Sequence, residues 1–187
     1  MIITNDKYFN LFQYIMNILY EIGEYGPFIL IVLSWYLLWS HPNLFFYYTS
    51  GIFLNAILNI VLKGIIQEPR PMFDEKKIKL LKTHAKHYFF QNGIPFNMFG
   101  MPSGHAQASL FSTLFIYLSF KNADWLFVFA MFSLLTCYQR VALEYHSISQ
   151  VIVGGIAGSA FAYLMYKLAR EKMKGKVREK PDDDGPI

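Results

Sequence analysis

The chain has 187 residues, of which 54% are hydrophobic and 18% aromatic, and it carries a formal net charge of +4 at pH 7. Soluble domains contain only about 45–50% apolar residues, so this composition favours an integral membrane protein. The positive charge is small and scattered, which argues against nucleic-acid binding. A single cysteine, Cys137, excludes an intramolecular disulfide framework.

The first segment of the chain has the pattern of an amphipathic helix. Phe, Leu, Ile and Met occupy one side of residues 9–24. The polar residues recur at helical spacing on the other side: Asn10, Gln13, Asn17, Glu21 and Glu24. Such a helix either lies in the membrane interface or packs as a sixth member of a bundle. We expect Gly26 and Pro27 to end it in both cases, so that residues 1–24 form a separate N-terminal helix.

Five apolar stretches of nearly 20 residues follow, separated by turn and polar residues. They cover approximately 25–40, 44–66, 102–120, 124–143 and 148–168. A helix of this length crosses a hydrocarbon layer of about 30 Å. The sequence therefore predicts an all-α integral membrane helical bundle, with five spans plus the N-terminal amphipathic or sixth helix. The membrane core would be residues 25–168.

Three smaller features complete the predicted organisation. A lysine-rich connection at 73–97 fits either a short helix on the membrane surface or a solvated loop. Gly154 and Gly158 form a G-x-x-x-G pattern, which predicts close helix packing in lipid. Residues 169–187 are charged and are predicted to be a flexible tail.

Three polar clusters interrupt the apolar spans. The first, LKGIIQEPRP, contains Lys63 and Arg70; the second is Pro-Ser-Gly-His at 102–105; the third, QRVALEYHSISQ, contains Arg140 and His146. Successive spans alternate in direction, so all three clusters return to the same side of the membrane. Ionisable residues at the ends of membrane spans are candidates for function.

This combination of residue types suits phosphate chemistry. Pro102 is compatible with the first turn of a helix, where backbone N–H groups of Ser103 and Gly104 would be available to an anion. Taken alone, the same stretch also fits an ordinary capped helix with an incidental histidine. Together with three cations, however, two histidines permit a two-step displacement, in which one attacks phosphorus and the other protonates the leaving oxygen. Gln150, one turn after His146, can orient that imidazole.

The three clusters resemble the signatures of the type-2 phosphatidic acid phosphatase superfamily. Lys63-x6-Arg70-Pro71, Pro102-Ser103-Gly104-His105 and Arg140-x5-His146 match them in order and spacing. The resemblance implies a helical bundle that requires no metal or other cofactor, with His146 as nucleophile and His105 as general acid. It also implies that five residues hold the phosphoryl oxygens: Lys63, Arg70, Ser103, Gly104 and Arg140.

One position departs from the usual signature, because Gln150 stands where the superfamily usually has an aspartate four residues after the nucleophile. A carboxylate would stabilise the imidazolium, whereas an amide can only orient the ring. Over about residues 44–71 and 98–160 the amino-acid sequence most resembles that of the dolichyl-diphosphatase branch. That resemblance implies hydrolysis of a polyprenyl diphosphate to the monophosphate and inorganic phosphate through a phosphohistidine.

The expected partners are a lipid diphosphate substrate and membrane lipids. Two alternatives remain: a broader lipid phosphate phosphatase acting on phosphatidate, and a catalytically silent lipid-binding relative. Basic residues after the last span indicate that the side opposite the site is cytoplasmic, whereas the lysines of 73–97 indicate the reverse. Resemblance to the dolichyl branch favours a multi-pass protein of an endoplasmic-reticulum-type membrane, with the site on the lumenal or external side. The oligomeric state is left open.

Overall fold

The computed structural model of the protein describes residues 3–71 and 99–174, with side chains from Tyr14 onward. Five helices account for most of these residues: α1 (Ile3–Leu38), α2 (Pro42–Ile66), α3 (Gly104–Phe120), α4 (Ala123–Ala142) and α5 (Ile148–Met173). The all-α class is confirmed over the described ranges. Their only β-type pairing is an isolated bridge between Pro69 and Phe99, which joins the segments that follow α2 and precede α3.

The bundle has an inside-out distribution of polarity. Small polar side chains are buried between helices, among them Ser34, Ser112 and Ser133. Large apolar side chains such as Ile65 and Phe127 face outward, with 72% and 67% of their surface exposed. Soluble proteins show the opposite preference, whereas small residues between helices and apolar residues outside are typical of membrane bundles.

Four helical segments are long and apolar enough to cross a membrane: Tyr14–Leu38, Pro42–Ile66, Ala123–Ala142 and Ile148–Met173. They fit a multi-pass membrane protein. The 17-residue α3 is the shortest of the five helices in the described ranges. A count of six separate helices is wrong for the described chain, because the predicted N-terminal helix and the first span form one element.

That element is α1, which runs through Pro27 over 36 residues and does not end at Gly26 and Pro27 as the sequence predicts. The reason is its packing on α4. A Cβ at Gly23 would lie 2.6 Å from Cβ of Gln139, and one at Gly26 would collide with the Thr136 hydroxyl, so both glycines allow close approach. A helix in lipid retains its backbone hydrogen bonds because no water competes for them, and interior proline is tolerated there.

The ends of four helices meet at one end of the bundle. The backbone N–H of Ser103, which precedes α3, donates to the Gln150 carbonyl in α5 at 3.0 Å. The N–H of His146 donates to the Arg140 carbonyl at the end of α4, also at 3.0 Å. The alternation of direction predicted from the spans is therefore confirmed, and it brings the three polar clusters together.

Close packing of α3 on α5 supports this end of the bundle. A Cβ at Gly154 would lie 2.5 Å from the Ser103 carbonyl oxygen, and one at Gly158 would collide with the Gln107 carbonyl. The prediction that this G-x-x-x-G pair serves packing is confirmed. Its consequence for the site is that the backbone of Ser103 lies directly against the first turns of α5.

At its C-terminal end, α5 continues to Met173, so residues 169–173 of the predicted flexible tail are helical. Arg, Glu, Lys and Met are good helix formers, and buried Ala169 anchors this turn on the bundle. The rest of that tail, 175–187, and the basic connection at 73–97 lie outside the described residues.

Candidate active site

The candidate active site lies at the end of the bundle where α2 and α4 end and α3 and α5 begin. All eight residues singled out from the sequence are found there: Lys63, Arg70, Ser103, Gly104, His105, Arg140, His146 and Gln150. Four charges from α1, α2, α4 and the segment after α2 act on the His105 ring, namely Glu24, Lys63, Arg70 and Arg140. The roles of the eight residues in binding and transfer remain predictions.

His146 occupies the turn between α4 and α5, and only 3% of its surface is exposed. Its Nδ1 atom lies 3.0 Å from the Gly100 carbonyl oxygen and 3.2 Å from Oε1 of Gln150. Both neighbours accept hydrogen bonds, so the proton of a neutral imidazole belongs on Nδ1. The lone pair is then on Nε2, which is the arrangement that a nucleophile requires.

Burial together with the charges of Arg70 and Lys63 lowers the pKa of His146 from 6.5 to about 3. Desolvation disfavours the imidazolium, and the two cations repel it. The ring is therefore neutral at physiological pH, and its Nε2 lone pair is available. This electrostatic state agrees with the hydrogen-bonding pattern.

Gln150 is held by the local structure at the start of α5. Ser147 caps that helix, and the Ser147 N–H donates to Oε1 of Gln150 at 3.2 Å in a capping box. Gly100 packs on the same amide so closely that a Cβ there would collide with Oε1 of Gln150. The contact between His146 and Gln150 that their four-residue spacing predicts is therefore present in the structure.

A buried network of amide side chains supports the Pro-Ser-Gly-His segment. Nδ2 of Asn59 donates to the Pro102 carbonyl at 3.2 Å and to Oε1 of Gln107 at 2.8 Å. Nε2 of Gln107 in turn donates to Oδ1 of Asn55 at 2.8 Å. These bonds fix the turn that precedes α3 against α2, because buried amides are stable only when they are hydrogen-bonded.

Ser103 and Arg140 bring polar atoms into the site that the described residues do not satisfy. Ser103 is the N-cap of α3, but its side chain makes no capping bond, and its Oγ is buried with no hydrogen-bond partner in those ranges. The same is true of Nε of Arg140. A buried hydroxyl at a helix N-terminus and a buried guanidinium N–H at the end of α4 both fit the oxygens of a phosphoryl group.

The three cations are placed by different elements. Nζ of Lys63, at the end of α2, donates to the Phe99 carbonyl at 2.8 Å. The guanidinium of Arg140 lies 5.0 Å from the centroid of the Tyr145 ring. Burial and the charge of Arg140 lower the pKa of Arg70 from its ordinary value. Mutual repulsion of buried cations is relieved by an anion, so the arrangement is suited to bind one.

A cavity of about 270 Å³ opens beside His105 between α1, α2 and α3. Its apolar walls include Pro27 and Ile31 from α1 and Ile52 and Ala56 from α2. His105, which is half-buried at the start of α3, therefore borders both the charged site and an apolar space.

Three residues of the site were not recognised as such in the sequence. Glu24 of α1 accepts hydrogen bonds at Oε2 from Nη2 of Arg140 at 2.5 Å and from Nε2 of Gln139 at 3.0 Å. Glu68 accepts from Nε2 of Gln150 at 2.8 Å, and Gly100 contributes its carbonyl to His146. Glu68 lies inside the IQEPRP stretch beside Arg70, and this position in the sequence could have marked it as a candidate site residue. Glu24 was assigned only to an amphipathic stripe.

Comparison with known proteins identifies the family. The model of the PAP2 superfamily matches residues 44–174, which is most of the chain and includes every residue predicted for the site. The chain belongs to the PAP2 superfamily. α1, including Glu24, lies before the matched residues.

Several curated proteins are similar to this PAP2 chain. It is 33% identical over 126 residues to a dolichyldiphosphatase of Saccharomyces cerevisiae, covering 62% of this chain and 48% of the relative. It is 31% identical over 140 residues to dolichyldiphosphatase 1 of Homo sapiens, covering 66% and 52%. The chloroplastic lipid phosphate phosphatase epsilon 2 of Arabidopsis thaliana is 29% identical over 141 residues, covering 70% and 41%. The chain spans about half the length of these relatives, and no solved structure matches it.

Proposed function

We propose that this chain is an integral membrane phosphatase that hydrolyses a polyprenyl diphosphate of dolichyl type to the monophosphate and inorganic phosphate. The observation that carries the proposal is the state of His146: Nδ1 faces two acceptors beside three cations and a helix N-terminus. This geometry leaves Nε2 free of the ring proton, next to groups that attract phosphate.

In the first step, the Nε2 lone pair of His146 attacks the terminal phosphorus. A phosphorus–nitrogen bond forms and the bond to the bridging oxygen breaks, so that the lipid monophosphate leaves with that oxygen. His105 donates a proton to the leaving oxygen. In the second step, water attacks the phosphohistidine, His105 accepts a proton from the water, and inorganic phosphate departs with the oxygen of the water. His146 is regenerated.

Lys63, Arg70 and Arg140 are proposed to hold the phosphoryl oxygens, together with the Ser103 hydroxyl and the backbone around Gly104. Their positive charge would stabilise the equatorial oxygens of the transition state. Because these groups already supply several positive charges, we expect the reaction to require no divalent metal. Activity should persist in excess EDTA, and vanadate should inhibit it as a transition-state analogue. Loss of activity on chelation, restored by magnesium, would contradict this part of the proposal.

Two observations support a lipid diphosphate as substrate. Dolichyldiphosphatases are among the relatives, at 31–33% identity. The apolar cavity bordered by His105 provides a place next to the charged site where the first part of a lipid chain could lie. A lipid with a diphosphate head group would satisfy both the charges and the apolar walls.

A second candidate is a lipid phosphate phosphatase that acts on phosphate monoesters such as phosphatidate. The observation in its favour is the likeness to the Arabidopsis thaliana protein, which covers 70% of this chain. The two candidates differ in the leaving group, which is a phosphate in the first and an alcohol in the second.

The decisive experiment measures phosphate release by the purified protein from dolichyl diphosphate, dolichyl monophosphate and phosphatidate in mixed micelles. We expect the specificity constant for the diphosphate to exceed that for the other two lipids, with the monophosphate accumulating as product. Comparable specificity constants for phosphatidate and the diphosphate would favour the second candidate. No release from any of them, with His146 intact, would contradict both.

We further propose that the site faces the lumenal or external side. The support is the basic C-terminal end of α5, with Arg170 and Lys172 in its last turn at the opposite end of the bundle. In sealed vesicles whose outer surface is the lumenal or external face of the membrane, and in a Cys137→Ala background, an impermeant thiol reagent should label Glu144→Cys, near the site, but not Ser40→Cys, in the turn at the other end. The reverse labelling would invert this orientation.

A further inference from the structure

The side-chain amide of Gln150 has two different ends, and the one that faces His146 acts together with the Gly100 carbonyl on the ring nitrogen that carries the proton. Oε1 accepts from Nδ1–H and fixes the proton there, whereas an amide turned by 180° would direct Nε2–H toward that nitrogen. A ring with its proton on Nε2 has no lone pair at the position proposed to attack phosphorus. A turned amide would oppose the Gly100 carbonyl, which favours the proton on Nδ1, so the orientation of the amide affects the population of the reactive tautomer.

In the structure all four hydrogen-bonding positions of this amide are matched. Oε1 lies 3.2 Å from both Nδ1 of His146 and the N–H of Ser147. Nε2 donates to Oε1 of Glu68 and to the Pro69 carbonyl oxygen, both at 2.8 Å. Turning the amide would place its carbonyl oxygen against two acceptors and its NH2 against the Ser147 N–H, which is a donor.

Of the two acceptors, the carboxylate of Glu68 is the stronger constraint. An ionised carboxylate only accepts hydrogen bonds and does so more strongly than a neutral oxygen. Gln150, which donates to this carboxylate, has only 1% of its surface exposed. An orientation in which the carboxylate faces the amide oxygen is therefore unfavourable, because water cannot separate the two acceptors.

We propose that Glu68 is a positioning residue that fixes the orientation of the Gln150 amide and, through it, the proton of His146 on Nδ1. Glu68 does not contact the phosphate in this account, and it acts only through Gln150. The inference rests on the proposed function, because it assigns to His146 the reactive Nε2. It also relates to the missing aspartate of the usual signature: the carboxylate comes from the segment that follows α2, one hydrogen bond farther from the ring.

The backbone around Glu68 holds its side chain in place. The N–H of Gly100 donates to the Glu68 carbonyl at 2.7 Å, and Pro69 pairs with Phe99 in the isolated bridge. Gly100 in turn presents its own carbonyl to His146 at 3.0 Å. The segment after α2 and the segment before α3 thus form one support for the ring, with Glu68 and Gly100 as neighbours.

The first test observes the tautomer directly. Long-range proton–nitrogen NMR spectra of ¹⁵N-histidine-labelled protein in detergent distinguish Nδ1–H from Nε2–H, and His146→Asn assigns the signals. We expect the Nδ1–H form in the unmodified protein and a clear population of the Nε2–H form in Glu68→Ala. Glu144→Gln, which removes an exposed carboxylate from the same end of the bundle, should leave the tautomer unchanged.

A Glu68→Ala protein that retains the pure Nδ1–H form would overturn the proposal. If Glu68→Ala does not fold, Glu68→Gln gives the same test, because it keeps an acceptor oxygen but adds a competing NH2 donor. We then expect an intermediate population of the second tautomer, and an unchanged spectrum would again overturn the proposal. These spectra need no substrate, so the result stands even if the phosphatase proposal fails.

The second test uses kinetics on dolichyl diphosphate. We expect Glu68→Ala to lower kcat by about tenfold while KM changes by less than about twofold, because a lost orienting bond weakens transfer and not phosphate binding. Glu68→Gln should lose only about threefold, since an acceptor oxygen remains. The decisive comparison repeats Glu68→Ala in a Gln150→Ala background, where we expect less than about a twofold further change. A full tenfold loss in both backgrounds would show that Glu68 acts independently of Gln150 and overturn the proposal.

Discussion

The surroundings of the two histidines differ in how completely they are hydrogen-bonded. On the nucleophile side, formed by His146, Gln150, Glu68 and Gly100, one amide has four partners and the Nδ1 atom of the ring has two. On the anion side, formed by His105, Ser103, Arg140 and Glu24, two buried donors have no partner in the described residues, namely Oγ of Ser103 and Nε of Arg140.

This difference separates two tasks of a phosphoryl-transfer site. A nucleophile must be fixed in one protonation state and one orientation before substrate arrives, and a closed hydrogen-bond network achieves this. Groups that stabilise developing charge must instead keep donors available for oxygens that the substrate brings. Changes on the nucleophile side should therefore affect transfer, and changes on the anion side should affect binding and charge stabilisation.

The largest expected effect comes from removing the nucleophile. In His146→Asn the amide NH2 can still donate where Nδ1–H did, but no nitrogen can attack phosphorus. We expect kcat to fall by at least roughly a thousandfold, as for other enzymes that lose a covalent nucleophile. Brief incubation with labelled substrate should leave an acid-labile, alkali-stable phosphoenzyme in the unmodified protein and none in the variant. Full turnover by a folded His146→Asn protein would refute the assignment.

Gly100→Ala tests whether the nucleophile side depends on close packing. A methyl group there would collide with the Gln150 amide, and the two chain segments that support His146 would have to separate. We expect kcat to decrease by about a hundredfold, from the combined loss of two orienting bonds. The matched control is Gly155→Ala, whose Cβ would lie at an ordinary 3.5 Å from Leu110. Equal activity of the two variants would contradict the prediction.

On the anion side, Ser103→Ala should separate activity from stability. Its hydroxyl has no partner in the described residues, so its removal should leave Tm unchanged or higher, because no buried bond is lost. Activity should nevertheless fall by about tenfold if this hydroxyl donates to the phosphoryl group. Ser147→Ala removes the N-cap of α5 and should instead lower the free energy of unfolding by about 1 kcal/mol. A loss of stability in Ser103→Ala would mean that its hydroxyl serves the fold.

Much of the site could be predicted from sequence because it follows from counting spans. Polar clusters at the ends of antiparallel helices must share one end of the bundle, which brings Lys63 and His146 together over 83 positions of sequence. The contact of His146 with Gln150 follows from helical spacing. These inferences depend only on the alternating direction of the spans and on the number of residues per helical turn. They do not depend on which helices pack against each other.

The remaining features depend on which surfaces meet. The continuity of α1 through Pro27 results from two glycines that fit against α4, and periodicity within α1 contains no information about that partner. For the same reason Glu24 was assigned only to the polar stripe of an amphipathic helix, whereas it contacts Arg140. Glu68 lies in an extended segment between helices, where spacing does not indicate the direction of a side chain.

Glu24→Gln should have a smaller effect than the changes above. Its carboxylate neutralises part of the charge of Arg140, but 44% of the Glu24 side chain is exposed, and exposed ion pairs are weak. Without the carboxylate, Arg140 should attract anions more strongly, so we expect the inhibition constant for vanadate to fall by about two- to fivefold. Glu21→Gln, one turn earlier and exposed, is the matched control and should leave the constant unchanged. A weaker affinity for vanadate in Glu24→Gln would mean that Glu24 chiefly orients Arg140.

The smallest expected effect is the dependence of stability on pH that His146 contributes. Because burial and two cations lower the pKa of His146 to about 3, the folded protein keeps this ring neutral at pH values where the unfolded chain binds a proton. The unfolded state is therefore favoured as pH falls below about 6.5, the ordinary histidine value, and this contribution is lost progressively down to about pH 3. Above pH 7 the ring is neutral in both states, so it adds nothing to the dependence of the free energy of unfolding on pH.

His146→Asn has no such proton to bind, so its Tm in detergent should decrease less than that of the unmodified protein between pH 7 and pH 5. The two curves should be parallel between pH 7 and pH 8, which serves as the internal control. Parallel curves over the whole range would mean that the buried ring binds its proton as readily as the unfolded chain does, and that the nucleophile side does not hold His146 neutral.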